Sequence, residues 1–475
     1  MKRSLLFTAL IFCSFSRSQA QYIAEVMEYK PAPGQLINEP PWGTPGGVRS
    51  LEGGLQGTAS LGAFGGYMVF RFDQAVENDP LNPYGVDFSI FGNPVPGWSE
   101  PGVVWVMKDE NLNGEADDTW YELAGSDYWF SSTKRGYRVT YTNPGGDLAM
   151  DVPWEDQSGG RGVIRANNAH TQSYYPLHDS FPGVDPDLYA LEGTCLTGHV
   201  TEGVTGILSI PRAFGYADNR LPGSPPYTLP DNPYTDTVEH AGGDAFDIGW
   251  AVDPDGNYVE LDRIHFIKVQ SGMLAHGGWL GELSTELTGA VDVAPDPSIS
   301  GETERVVVAD LPSLLESEEY QLEAKVFQNG RIQPDRAVEW TVSRSGAKVS
   351  EDELLQLTEE GPLTLTAALA DRPEVRTTVS TTVQWKHTSL RDDHAGNFRV
   401  LLYPNPASDF FRVKGLTNSL LVLYDSSGRA LMRVEPYQEG YNVDIRSCPP
   451  GVYLVRLEQS GSVYWFKLIK NGYTR

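Results

Sequence analysis

Cysteine is almost missing from this chain: three residues in 475, Cys13, Cys195 and Cys448. Cys13 lies in an apolar leader, and the other two fall in separate predicted domains. A disulfide framework is therefore excluded, and no bridge between Cys195 and Cys448 is expected. Basic residues are also in short supply, with 36 Lys and Arg against 63 Asp and Glu and a net charge of −27. Residues 1–20 and 390–475 each carry +3, which leaves −33 on residues 21–389. A body that acidic repels nucleic acid and anionic lipid; it suits cation binding or simple solubility outside the cell. After the leader no apolar run is long enough to cross a bilayer, so no transmembrane segment is expected. His170, His178, His199, His240, His265, His276, His387 and His394 show neither HxxxH nor HExxH spacing, against a zincin-type site. No G-x-S-x-G elbow and no phosphate-binding G-x-x-x-x-G-K-[ST] loop occurs. Cys195 has His199 four residues on, but a lone Cys in such a chain reads more plainly as core than as a nucleophile.

What is present points to an exported all-β protein. Residues 1–20 read as a signal peptide: basic Lys2 and Arg3, an apolar run from Leu5 to Phe15, and small residues at Ser18 and Ala20. The mature chain then starts at Gln21. Glycine and proline together make 82 residues, ordinary for a β protein full of turns and high for a helical one. At roughly 150 residues per domain the length suggests about three domains.

Residues 21–292 hold eight of the eleven Trp and short β-like runs such as YMVFRF (67–72), VVWVM (103–107) and IHFIKV (264–269) between Gly, Pro, Asn and Asp. They predict a jelly-roll-like β-sandwich. Asp255-Gly256 reads as a two-residue hairpin turn, and 143–200 and 215–240 read as long loops of the kind that carry function. Residues 293–388 alternate more cleanly, as in YQLEAKVF (320–327) and TTVSTTVQW (377–385), and predict an Ig-like sandwich acting as a spacer. Residues 389–475 predict a small C-terminal β-sandwich.

That last piece carries the most specific motifs: Tyr403-Pro404-Asn405-Pro406, the Asp425 to Gly428-Arg429 turn, Gly451-Val452-Tyr453, and Lys467 near the end. It resembles the C-terminal sorting domain of the type IX secretion system of Bacteroidetes. The resemblance implies export across the outer membrane through that machinery, loss of the domain, and release or attachment at the surface. The first domain is similar to the N-terminal domain of secreted Bacteroidetes surface proteins with Ig-like or PKD-like repeats. The matching stretches include SLGAFGGYMVFRFD (60–73), EPGVVWVMKDENLNGEADDTWYELAGSDY (100–128) and GGDAFDIGWAVDPDGNYVELDRIHFIKVQSG (242–272). Some proteins of that kind accompany outer-membrane nutrient uptake, including uptake of corrinoids.

In KDENLNGEADDTWYE (108–122), Asp109, Asn111, Asn113 and Gly114 match the D-x-N-x-N-G start of a calcium loop, in which alternate short oxygen side chains converge where the backbone curls. Glu115 would add a carbonyl and Asp117 a ninth-position ligand, with Asp118 a substitute nearby. The match fails at the twelfth position, Trp120, and both flanks read as strands. Calcium on a strand–loop–strand variant is the favoured reading. A solvated acidic hairpin is the plain alternative, and a glycosidase-type acid pair a third.

Ligand-binding candidates are Tyr216, Asp218 and Arg220 in FGYADNR, and Trp98 and Trp129, with Trp154 and Trp279 in similar turn-rich contexts, for stacking on flat apolar faces. Each tryptophan taken singly is as readily core. Asp244 and Asp247 read as structural. The sum is a secreted or surface-bound, calcium-stabilised, non-catalytic binding protein for a glycan or small nutrient. A secreted glycan hydrolase, an adhesin or surface-layer component, and an accessory of nutrient uptake are the alternatives.

Overall fold

A computed structural model describes residues 21–203, 206–385, 401–425, 429–459 and 462–471. The predicted signal peptide, the boundary at 388/389 and Gly428 lie outside the described residues. The architecture is all-β, with short 3-10 turns between strands. The chain forms two compact units. The first runs to Pro312 and takes in Leu322–Thr341 and Thr366–Val379; the second holds Ser313–Gln321, Val342–Leu365 and the chain from Ser380.

The first unit is built on a six-stranded sheet. Its order is Glu25–Lys30, Tyr67–Arg71, Phe266–Ser271, Gly102–Met107, Trp120–Leu123 and Ala251–Val252. Period-two alternation sends Met68, Phe70, Val104, Val106, Ile267 and Val269 to one face. There they meet Phe88, Ile90, Phe246 and Ala290 of a three-stranded sheet in one core. Phe88 and Phe246 stack at 5.2 Å, and Phe246 leans on Trp250. Each such side chain contributes on the order of 1.5–3 kcal/mol by leaving water.

The other face of the central sheet is covered as well, which is why Val69, Met107 and Phe266 are also buried. Met27, Tyr67, Ala116 and Trp120 pack on those three, and a four-stranded sheet of Arg161–Ile164, Val152–Asp156, Lys134–Thr142 and Leu188–Cys195 meets the same face at Gln270 and Glu122, through the Glu192 carbonyl and Thr194. The stretch 143–200, which reads as a long loop, therefore contributes three strands. The first two were hidden because they are short and separated by Gly159-Gly160, where Asp156 Oδ1 accepts the Ser158 and Gly160 N–H groups at 2.8 Å each. Asp255-Gly256 also departs from expectation. Only Gly256 takes positive φ, and the turn is closed by Asp253 Oδ1 accepting the N–H groups of Asp255 and Asn257.

The compact units do not follow the boundary at 292/293. Phe327 packs edge-on to Phe214 at 5.2 Å, and the Trp250 indole N–H donates to the Asn329 carbonyl at 3.0 Å. The aromatic cluster of the first unit needs an apolar cover, and the strand Ala324–Gln328 supplies it. YQLEAKVF accordingly forms two strands, Glu319–Gln321 in the second unit and Ala324–Gln328 in the first.

In the second unit, a four-stranded sheet (Ala430–Tyr437, Ser419–Tyr424, Gly451–Gln459, Ser462–Lys470) and a three-stranded sheet (Leu401–Tyr403, Phe410–Lys414, Val443–Asp444) share a core of Leu402, Phe411, Leu423, Val455 and Leu468. Asn405 explains part of the YPNP motif. Its amide donates to the Lys467 carbonyl at 2.6 Å and accepts from the Ile469 N–H at 2.9 Å, tying the first strand's exit to the last strand.

Candidate functional site

The loop at 108–119 joins two paired strands, with Met107 opposite Trp120. Its oxygens serve its own backbone. Asp109 accepts from the N–H groups of Asn113 (3.2 Å) and Gly114 (2.8 Å), Asn111 from Asn113 (2.9 Å), and Asn113 from Glu115 (2.8 Å). Asp118 accepts from the Glu110 N–H, and the Asn113 amide faces both oxygens of Asp117 at 3.2–3.3 Å. Asp109 is buried, and its own N–H donates to His265 Nδ1. Among the described residues no three His, Cys, Asp or Glu side chains gather closely enough to hold a metal ion. The oxygen-rich curl and Gly114 at φ 77° suit a hard cation, but the carboxylates stand apart. Trp120, where the calcium pattern breaks, serves the sheet instead. Together with Trp105 it flanks the Lys268 ammonium, at 5.0 and 4.6 Å from the ring centres.

The FGYADNR candidates separate. Tyr216 is buried, and its hydroxyl accepts the Asp127 N–H. Asp218 is buried at φ 56°; its carboxylate accepts the N–H groups of Asn93 (3.0 Å) and Glu286 (2.8 Å). Burial, and then the charge of Glu286, push that carboxyl well above its ordinary range. Both side chains are spent inside the fold, which corrects their reading as ligand contacts: hydrogen bonds satisfied within a core leave nothing for a ligand. Arg220 does line a cavity. Trp98 and Trp129 form no open platform. A Cβ on Gly277 would fall 1.9 Å from the Trp98 ring, and Trp129 packs between Tyr128 and Tyr258. Trp154 lies over Gly162 on the neighbouring strand. Asp244 accepts the N–H groups of Asn219 and Arg220 at 3.0 Å each, and burial pushes it up to about 8. Cys195 is buried and free; desolvation pushes its thiol up to about 11, against thiolate chemistry.

The cavity lies within the first unit and measures about 480 Å³. Its lining includes four apolar side chains left in water, Val95 (55% exposed), Ile210 (46%), Leu221 (40%) and Val238 (52%). On its wall, Arg212 is fully buried and pairs with Asp127 at 2.5 Å, and His199 Nε2 lies 3.7 Å from the same carboxylate. Burial pushes Asp127 up, but Arg212 and then His199 outweigh it and hold the carboxyl below its usual value. Burial, and then Arg212, lower His199, keeping the imidazole neutral at pH 7. The lining hydroxyls of Ser99 and Thr377 donate to the carbonyls of Asn219 and Val306. This cavity was illegible in the sequence, because its residues come from seven separated stretches between Pro94 and Val379, with 210–221 taken as one.

No curated protein matches the chain. Among solved structures it is similar to the Escherichia coli adhesin FdeC (11% identity, 44% of this chain and 79% of that one, TM-score 0.17). It is also similar to the BSP domain of a biofilm associated protein (10%, 86% and 63%, 0.16). A third likeness is to surface layer protein SbsC, domains 1–6 (12%, 86% and 53%, 0.18). TM-scores this low carry no argument about this chain. The match that does carry one covers residues 401–471, which fit the secretion system C-terminal sorting domain. With the motifs anchored as described, this region is a type IX sorting domain, and the chain is a protein exported to the cell surface or the medium.

Proposed function

We propose that this exported protein is a non-catalytic binding protein whose ligand, a small nutrient or a glycan fragment, sits in the cavity of the first unit, with calcium bracing the loop at 108–119. The observation that carries this reading is the cavity of about 480 Å³ with Val95, Ile210, Leu221 and Val238 left in water. Ligand sites are concave, mostly apolar and furnished with a few fixed polar groups, at roughly 300–1,000 Å³. The His199–Asp127 pair is the one feature that favours a hydrolase. The commitment of Ser99 and Thr377 to carbonyl oxygens supports binding instead, since a hydrolase of that kind needs a hydroxyl held by the imidazole.

Calcium would draw on Asp109, Asn111, Asn113, Glu115 and Asp117, with Asp118 in reserve; the curl around Gly114 supports this, and the spread of the carboxylates argues for a weak site. The test is a thermal-shift screen of the mature chain against small nutrients and oligosaccharides, each with calcium and with chelator. A ligand at 100 times its Kd adds about 2.7 kcal/mol of stability. A melting temperature that ignores both calcium and chelator removes the metal from the reading, and one that ignores every ligand removes the cavity.

A further inference from the structure

Charge around this cavity is not balanced. Arg212 is matched by Asp127. Arg220 and Arg305 share one carboxylate, Asp236, which is 86% exposed: Arg305 pairs with it directly, and Arg220 stands 4.0 Å away. Both guanidinium groups are held in place by carbonyl oxygens. Arg220 Nη2 donates to Ala213 (2.6 Å) and Thr235 (2.7 Å), and Arg305 Nη1 donates to Ala213, Pro233 and Thr235 at 3.0–3.3 Å. Asp244 lies behind Arg220, but its two oxygens are taken by the backbone N–H groups of Asn219 and Arg220, and burial pushes its carboxyl up to about 8. A locally positive, immobilised pair thus sits beside exposed valine, leucine and isoleucine, on a body whose overall charge is strongly negative. At physiological salt, charges more than about 8 Å away are screened, so the near pair decides which ion the cavity favours. Asp236 is a weak competitor, because water around so exposed a carboxylate screens its attraction for Arg305.

We propose that the cavity selects a single-chain amphiphile with one carboxylate, its head on Arg220 and Arg305 and its apolar chain along Val95, Ile210, Leu221 and Val238. This rests on the binding reading above and names the class of ligand.

The test is calorimetric titration of the whole mature chain with octanoate, octanol and octylamine at pH 7.4. Octanoate is expected to bind about tenfold more tightly than octanol, and octylamine most weakly. Asp236→Asn, a change at an exposed side chain, is expected to tighten octanoate about threefold or more by removing its competitor, while leaving octanol unchanged. Val238→Trp, at the half-exposed rim, is expected to weaken both. Arg305→Gln is expected to erase the preference for octanoate. Equal binding of octanoate and octanol, or no response to Asp236→Asn, overturns the carboxylate assignment while the binding cavity stands. Failure of all three probes to bind, or binding that ignores Val238→Trp, overturns the amphiphile assignment, while the binding reading itself falls only if the thermal-shift screen finds no ligand.

Discussion

The two units handle charge in opposite ways. The first buries carboxylates: Asp87, Glu100, Asp127, Asp218, Asp244 and Glu282 are all removed from water. Most of them face backbone N–H groups or one another. Glu100 is pushed well above its usual range by burial and then by Glu286 and Asp218. The second unit keeps many of its ion pairs at the surface, as short-range contacts within one strand or turn: Asp425 with Arg429, Arg433 with Glu435, Asp444 with Arg446. A unit with 31 residues in its main buried cluster can hold charged groups inside by surrounding them with donors. A small sandwich has less interior to surround a charge, and there Lys470 is the buried charged side chain among the described residues, with its ammonium donating to the Ser408 carbonyl.

Breaking the buried pair in the first unit should have the largest effect. Asp127→Ala strands the Arg212 guanidinium in the core and is expected to cost about 3–5 kcal/mol in urea unfolding of the first unit. The matched change in the second unit, Asp444→Ala, removes an exposed, solvent-screened partner and is expected to move its unfolding midpoint far less.

The next effect is in pH. Asp244, Asp247, Glu122 and Glu282 are pushed up to about 8, 7, 7 and 7, burial being the first cause in each. For these groups the folded state holds protons that the unfolded chain has released. Stability therefore falls as pH rises from about 4 towards 8. Asp444 is held down at about 2 by Arg446, so its contribution is present above pH 4 and lost as pH falls towards 2. Calorimetry of the whole chain is expected to show the first unit's transition moving down between pH 5 and pH 8 and the second unit's holding steady; parallel shifts would break the contrast. Glu282→Gln sharpens it. Glu282 Oε1 accepts the Gln35 N–H, while Oε2 has no partner among the described residues. Removing the charge is expected to add about 2–3 kcal/mol at pH 8 and little at pH 5.

Two smaller changes compare local devices. Asn405→Ala deletes the clamp between the YPNP turn and the last strand, and is expected to cost the second unit about 1–2 kcal/mol in urea unfolding. Gly114→Ala meets open space at its Cβ, so only the positive φ opposes it. A cost of about 1 kcal/mol is expected, and a larger loss in calcium than in chelator would support a bound cation in the loop.

The sorting region was the most legible part of the chain because its determinants are local. Tyr403-Pro404-Asn405-Pro406 and the Asp425–Arg429 turn act within short reach, and strand alternation there faces one small core. The cavity was not legible. Arg220 stood out from FGYADNR only by its charge, and its neighbours Tyr216 and Asp218, equally polar on paper, turned inward. A signal for part of the rest did exist: Val95, Leu221 and Val238 each interrupt a turn-rich stretch without completing a strand pattern, whereas Ile210 reads as the end of the strand Gly206–Ser209. Nothing in the sequence says that the four meet.

By itself the sequence determined the all-β class, the acidic body, the secretion sorting region and the strands that show a clean period of two, since those depend on composition and near neighbours. The tertiary structure alone decided that 143–200 is sheet rather than loop, that Phe327 belongs with Phe214 and Trp250, which polar residues are spent in the core, and that three arginines and four exposed apolar side chains surround one cavity. Those outcomes depend on which distant surfaces cover one another, and burial of one segment by another is not encoded in either segment alone.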